Sequence, residues 1–327
     1  MIPFKPLLSI LSPRAEAARL SVLIFHRVLP APDPMFPGEV DARQFDQIIG
    51  WMRTWCNVLP LDEAVNRLAA RSLPARAAAI TFDDGYADNH GQALPILQRH
   101  KLSATFFIAT GFLDGGRMWN DTIIDAVRRF NGDRIELQGI LGIQPEAAAV
   151  WPCRSIEQRR HAIEAIIGQI KYAQPDQRLV LANEVAFRLR IKQSTGLMMT
   201  SQQVLGLRRE GMQIGAHTHT HPILARLEPE AARLEIARSK RTLEDLLGES
   251  VNLFAYPNGR PGQDYNAQSV SIVRDLGFSA AVSTAKGAAN CQSDPFQLPR
   301  FTPWDRTRAR FGLRLAANLA AAAPALA

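Results

Sequence analysis

Six short apolar runs, at 21–25 (SVLIF), 78–82 (AAITF), 104–108 (ATFFI), 212–216 (MQIGA), 251–255 (VNLFA) and 279–283 (SAAVS), recur along this chain. Between them, the stretches 41–54, 61–70, 91–100, 229–247 and 266–276 can each place apolar residues on one helical face. Near-continuous apolar runs of this length read as strands buried on both faces, the pattern of a parallel sheet. The alternation predicts an α/β protein, either a barrel or an open doubly wound sheet. In both, chemistry gathers where the strands end at their carboxyl side. With 327 residues and 46% hydrophobic content the chain can bury a sizeable core.

From about 114 to 200 the strand and helix rhythm breaks into a mostly helical pattern, with Ile163, Ile166, Ile167 and Ile170 on one face. This segment is expected to be an insertion in a single core domain at 20–305. A segment at 1–19 precedes that domain, and an Ala-rich helix within 306–327, fraying at Pro324, follows it. Cys56, Cys153 and Cys291 are too few and too widely spaced for a disulfide framework or a paired-cysteine metal clip. The net charge of +7 is spread over scattered arginines and does not imply nucleic acid as a partner. No cleavable leader pattern and no run of the roughly 20 apolar residues needed to span a bilayer is visible. A cytoplasmic protein is expected, with the first ten residues as the candidate for peripheral contact with the inner face of a membrane.

Two clusters carry chemistry. Asp83, Asp84 and Gly85 follow the run AAITF directly, so two carboxylates stand where a strand empties into a loop; Asp-Gly is also a common turn pair. His217, His219 and His221 lie within five residues after MQIGA, in a chain with seven histidines. On a helical turn His217 and His221 would face the same way; a solvated polar loop is the alternative. Two imidazoles and one carboxylate can bind a divalent cation and leave an open position, as catalytic metal sites require.

With these residues in place, the chain resembles the polysaccharide deacetylases, the family-4 carbohydrate esterases. TFDDG at 81–85 matches the family's first motif, and HTHTH at 217–221 matches its second, H-[ST]-x-x-H. The resemblance implies a distorted (β/α) barrel over about 20–113 and 200–305. It also implies Asp83 as catalytic base, with Asp84, His217 and His221 as metal ligands. Zinc suits that set, and cobalt, nickel or manganese would also fit.

The chain departs from the family elsewhere. The third motif, R-x-P-[aromatic], is here Ala255-Tyr256-Pro257-Asn258-Gly259, and the late L-x-H motif is Leu298-Pro299-Arg300. A circularly rearranged branch, which includes poly-N-acetylglucosamine deacetylases, is similar in carrying a strand followed by His near the N-terminus. Here that is LIFH, ending in His26. His26 is therefore expected to be the general acid, and Arg300 to orient Asp83. A backbone N–H within 256–258 is expected to help hold the oxyanion. The implied reaction is removal of N-acetyl groups from an amino-sugar polysaccharide or its lipid-linked precursor. An O-acetyl ester hydrolase and a catalytically silent glycan-binding relative are the alternatives. Among lesser candidates, Asn120 or Asp121 is expected to cap a helix, Tyr86 to line the cleft or pack, an aromatic of 300–304 to be buried or to reach the rim, and His90, His100 and His161 to be solvated.

Overall fold

The computed structural model describes residues 3–140, 149–171, 173–321 and 326–327. In chain order its strands are β1 (Leu20–Phe25), β2 (Asn57–Val58), β3 (Ala77–Phe82), β4 (Thr105–Ile108), β5 (Arg134–Glu136), β6 (Val150–Pro152), β7 (Gln213–Ala216), β8 (Leu253–Ala255), β9 (Ala280–Val282) and β10 (Arg300–Phe301). Its helices are α1 (Phe4–Leu11), α2 (Ala42–Trp55), α3 (Leu61–Ala69), α4 (Leu94–His100), α5 (Trp119–Arg129), α6 (Ile156–Ile170), α7 (Pro175–Arg188), α8 (Ser201–Arg209), α9 (Pro229–Leu247), α10 (Ala267–Asp275) and α11 (Arg308–Ala320).

The chain divides into two compact units. The larger, Met1–Ala31 with Glu39–Leu113 and Met199–Ala327, is built on a parallel sheet in the order β10, β1, β3, β4, β7, β8, β9. One edge of β3 is shared: β2 pairs with its start at Ala77 and Ala78, and β4 with its end at Thr81 and Phe82. The sheet nearly closes on itself. Leu298, just before β10, bridges to Val282 in β9, while Arg300 in β10 pairs with Val22 in β1. This is the distorted (β/α) barrel that the resemblance implies.

Strand alternation separates two cores. Leu20, Val22, Ala77, Ala79, Phe107, Ala255, Val282 and Leu298 form one cluster inside the barrel, joined by Leu61, Val65 and Leu68 of α3. The intervening residues, such as Leu23, Phe25, Ile80, Phe82, Phe106 and Phe254, pack outward against the helices, where Phe45, Ile49 and Met52 of α2 meet them. Phe25, Phe82 and Phe106 stack in series, with ring centroids 5.3 and 4.7 Å apart. Local signals fix the helix ends. Asp41 caps α2 by accepting from the Gln44 N–H at 2.8 Å, Thr200 and Asn266 form capping boxes on α8 and α10, and Gly248 ends α9 at a positive φ of 68°.

The second unit comprises Pro32–Gly38 and Asp114–Met198. Helices α5, α6 and α7 surround a core that includes Ile123, Val127, Ile163, Ile166, Ile170 and Val185. Strands β5 and β6 pair antiparallel, an element that the helical reading of this segment does not anticipate. Helix α5 begins at Trp119 with Met118 at its cap position and no side-chain cap, so neither Asn120 nor Asp121 serves as one. The expected C-terminal helix is α11, ending at Ala320; Pro324 lies outside the described residues. Among the described residues no helix is long and apolar enough to cross a membrane.

Candidate active site

Parallel strands deliver His26, Asp83, His217 and Arg300 to one end of the barrel: His26 follows β1, Asp83 follows β3, His217 follows β7, and Arg300 opens β10. Alternation continues the interior rows. Ala77, Ala79, Thr81 and Asp83 form one row, and Leu298 and Arg300 another, so the last members of each meet in the barrel mouth. The Arg300 Nη1 and Nη2 donate to Asp83 Oδ1 and Oδ2, each at 2.7 Å. The guanidinium is itself fixed, with Nε donating to the Ser283 carbonyl at 2.8 Å and Nη1 reaching Thr81 Oγ1 at 3.3 Å. Only 2% of Asp83 and 1% of Arg300 is exposed, so neither charge could stand there without the other. Burial pushes the Asp83 pKa up, and the Arg300 guanidinium, helped by His217, more than reverses this and holds it below the usual carboxylate value.

Asp84 turns away from that row because its backbone is left-handed, with φ of 77°, followed by Gly85 at 90°. A non-glycine residue in this region carries strain that the surrounding fold must sustain. Thr218, His221 and Asn258 share the feature, with φ of 62°, 55° and 58°. The expectation of a helical turn for 217–221 is therefore corrected: the segment is a loop, and two left-handed residues bring His217 and His221 together. Thr218 Oγ1 donates to the His217 carbonyl at 2.5 Å and accepts the His221 N–H at 3.1 Å. Glu235 of α9 takes the His219 and Thr220 N–H groups at 3.0 and 2.7 Å and the Thr220 hydroxyl at 2.8 Å. His219 points away from the cluster, with its Nδ1 3.0 Å from Thr110 Oγ1.

Asp84, His217 and His221 could hold a metal ion, with one ligand atom from each residue all within 4.8 Å of one another. His217 Nε2 and His221 Nε2 stand 3.3 and 3.4 Å from Asp84 Oδ1. That oxygen is buried and has no hydrogen-bond partner. In a tetrahedral shell with bonds of about 2.0–2.1 Å, neighbouring ligand atoms lie about 3.3 Å apart, so these two separations match those around a shared cation. The proton on His217 is accounted for: its Nδ1 lies 2.8 Å from the Ala255 carbonyl, leaving Nε2 to face Asp84. Burial, opposed by Asp84, pulls the His221 pKa down to about 4, which keeps its Nε2 lone pair available at neutral pH. For His217 burial acts in the same direction, but Asp83 and Asp84 outweigh it and favour positive charge at this position. Asp84, which burial would raise, is driven far below the carboxylate range by His217 and His221.

His26 is exposed and stands close enough that its charge would stabilise ionised Asp83 and Asp84 and oppose protonation of His221. The expected oxyanion donors narrow. The Tyr256 N–H is taken by the Val282 carbonyl at 3.2 Å and proline has none, which leaves Asn258 in that stretch. Tyr86 is packed, with the Arg27 guanidinium 4.8 Å above its ring. Of the two aromatics in 300–304, Phe301 is buried, whereas Trp304 is 51% exposed, with the Arg314 guanidinium 4.7 Å from its ring. His100 is not merely solvated: its Nε2 lies 2.8 Å from Asp46 Oδ1. Glu235 is the supporting residue that sequence reasoning misses, since a single glutamate inside an amphipathic helix carries no local signal of its target.

The chain is similar to known proteins in sequence and in fold. Residues 70–138 and 183–281 match the family described as Polysaccharide deacetylase. YxkH of Bacillus subtilis (strain 168) is 19% identical over 287 residues, covering 87% of this chain and 71% of that one. The structure of IcaB from Ammonifex degensii superposes with a TM-score of 0.59 at 20% identity, over 95% of this chain and 99% of the other. A de-N-acetylase from Aggregatibacter actinomycetemcomitans gives 0.53 at 17% identity, over 86% and 94%.

Proposed function

The chain belongs to the polysaccharide deacetylase family, and on that premise we propose that it hydrolyses N-acetyl groups on an amino-sugar polysaccharide, or on its lipid-linked precursor, with a divalent cation held by Asp84, His217 and His221. Family membership makes it a hydrolase that releases acetyl groups from a glycan; the amide preference, the metal and the residue roles are the proposal. The observation that carries it is the pairing of two differently used carboxylates. Asp84 presents an unmatched buried oxygen to two imidazoles, while Asp83 is clamped by Arg300.

An acetamide is a poor electrophile, and its hydrolysis needs an activated water, a stabilised oxyanion and a protonated leaving amine. The cation would supply Lewis acidity to the attacking water and the acetyl oxygen. Zinc is the favoured ion, given two imidazole nitrogens and one carboxylate oxygen. Asp83, kept ionised by Arg300, would take a proton from the water as its oxygen bonds to the acetyl carbon. The Asn258 N–H is the backbone donor proposed for the oxyanion. His26 would give its proton to the sugar nitrogen as the carbon–nitrogen bond breaks, so that acetate and a free amine leave. Support for an amide substrate comes from the position of His26, near enough for its charge to act on Asp83, and from the fold's inclusion of a protein described as a de-N-acetylase.

Acetate release from N-acetylglucosamine oligomers and from acetylated xylan, measured after chelation and again after zinc is restored, tests the reading. Release from the amino-sugar oligomers that depends on added zinc is expected. Release from the xylan alone would assign the enzyme to ester hydrolysis instead.

A further inference from the structure

His26 lies one residue beyond β1, past the last ladder bond, in which the Phe25 carbonyl accepts the Asp83 N–H at 2.9 Å, and its side chain is exposed. A proton donor in that position needs its backbone fixed by something other than the sheet, because small misplacement of a reacting group is costly. We infer that Asn89, assisted by Asp88, is a positioning residue that pins the backbone of His26 beside Asp83. The inference rests on the reading of His26 as general acid.

Asn89 is fully buried, and its Nδ2 donates to the His26 carbonyl at 2.9 Å and to Asp88 Oδ1 at 3.2 Å. Two acceptors on the same side fix the amide's orientation, since reversal would set Oδ1 against both. Oδ1 itself is buried with no hydrogen-bond partner. An asparagine that leaves half of its amide unmatched is a poor choice for packing alone, and the bond made by the other half is what distinguishes it from an apolar residue.

The neighbouring contacts tie the same two segments together. Asp88 Oδ1 accepts the Val28 N–H at 3.2 Å, and Asp88 Oδ2 accepts Arg27 Nε at 2.8 Å. The Arg27 guanidinium covers Tyr86, and the Asp83 N–H donates to the Phe25 carbonyl at 2.9 Å. Residues 25–28 are thus bound one after another to the segment 83–89 that begins with the candidate base and metal ligand. Asn89 also opens a wide π-type turn, Asn89–Ala93, whose geometry differs from the α-helix that follows it. Such turns recur at functional sites.

The test uses the intact chain with zinc, a tetrameric N-acetylglucosamine oligomer as amide substrate, and 4-nitrophenyl acetate as a substrate whose phenolate departs without protonation. Asn89→Leu and Asn89→Ala should each lower kcat on the oligomer about ten- to hundredfold, leave KM on it little changed, and leave ester turnover near wild type. In a His26→Ala background, Asn89→Leu should cause no further loss on the oligomer. Full oligomer turnover in both Asn89 variants, or equal loss on both substrates, overturns the positioning role. Undiminished oligomer turnover in His26→Ala alone overturns the acid reading instead, so the two failures are distinguishable.

Discussion

Arg300 grips both carboxylate oxygens of Asp83, at 2.7 Å each, with the two side chains almost wholly buried. Two charges removed from water in this way are tolerated only as a pair, and losing one partner of a buried pair costs about 3–5 kcal/mol. Arg300→Met should destabilise the barrel by that order in urea unfolding. It should also leave only the weaker opposition of His217 and His26 against the effect of burial on Asp83. The Asp83 pKa would then rise, and the acid limb of kcat/KM would move to higher pH than in wild type. An acid limb that does not move would remove Asp83 from the base role.

The metal set makes a separable prediction. Asp84→Ala, His217→Ala and His221→Ala should each abolish tight zinc binding, measured as zinc per chain after gel filtration. Asp83→Asn should retain the zinc and lose turnover, because its oxygens serve Arg300 rather than the three-residue cluster. Zinc loss in Asp83→Asn as complete as in His221→Ala would merge the two roles.

Glu235 holds the 217–221 loop by three hydrogen bonds without touching the ligand nitrogens. Residues that orient ligands in this way typically contribute about 10–100-fold in metal affinity. Glu235→Ala should weaken zinc binding by that factor while the urea midpoint changes little. An unaltered zinc affinity would show that Thr218 and the left-handed backbone suffice.

The second unit gives a pH prediction independent of catalysis. Burial tends to raise the Asp125 pKa, but Arg117, the Ser194 N–H and Arg129 lower it below the ordinary value. The unfolded chain, with a carboxyl near ~3.9, therefore binds a proton over a pH range in which the folded chain does not. The stabilisation is present above the unfolded pKa and is lost as pH falls through the lower folded one. Asp125→Asn should lower the urea midpoint at pH 7 and make little difference at pH 2.5. An equal deficit at both values would assign the effect to hydrogen bonding instead of charge.

The barrel and the four residues of its two motifs are legible in the sequence for a common reason. Each apolar run is a strand, and Asp83, Asp84, His217 and His221 directly follow two of those strands, so their chemistry is local in the chain. Arg300 is legible only through a displaced motif, because its contact with Asp83 spans 217 residues. Asn89 and Glu235 act across 63 and 16 residues through a backbone carbonyl and backbone N–H groups, which leave no side-chain pattern to read. The shape of 217–221 is missed for a different reason. Spacing by four suggests a helical turn, and only the Thr218 hydroxyl and the Glu235 carboxylate make two left-handed residues sustainable there.

The order in which the chain is made gives the Asp83 and Arg300 pair a further meaning. Asp83, Asp84, His217 and His221 have all been synthesised well before Arg300 emerges on the strand that brings the barrel to near closure. Both motifs thus precede the residue that holds Asp83 by both carboxylate oxygens, and that hold is made only once β10 docks against β1. On the roles proposed above, a chain interrupted before residue 300 should be inert toward glycan, because it lacks the guanidinium that lets Asp83 be buried.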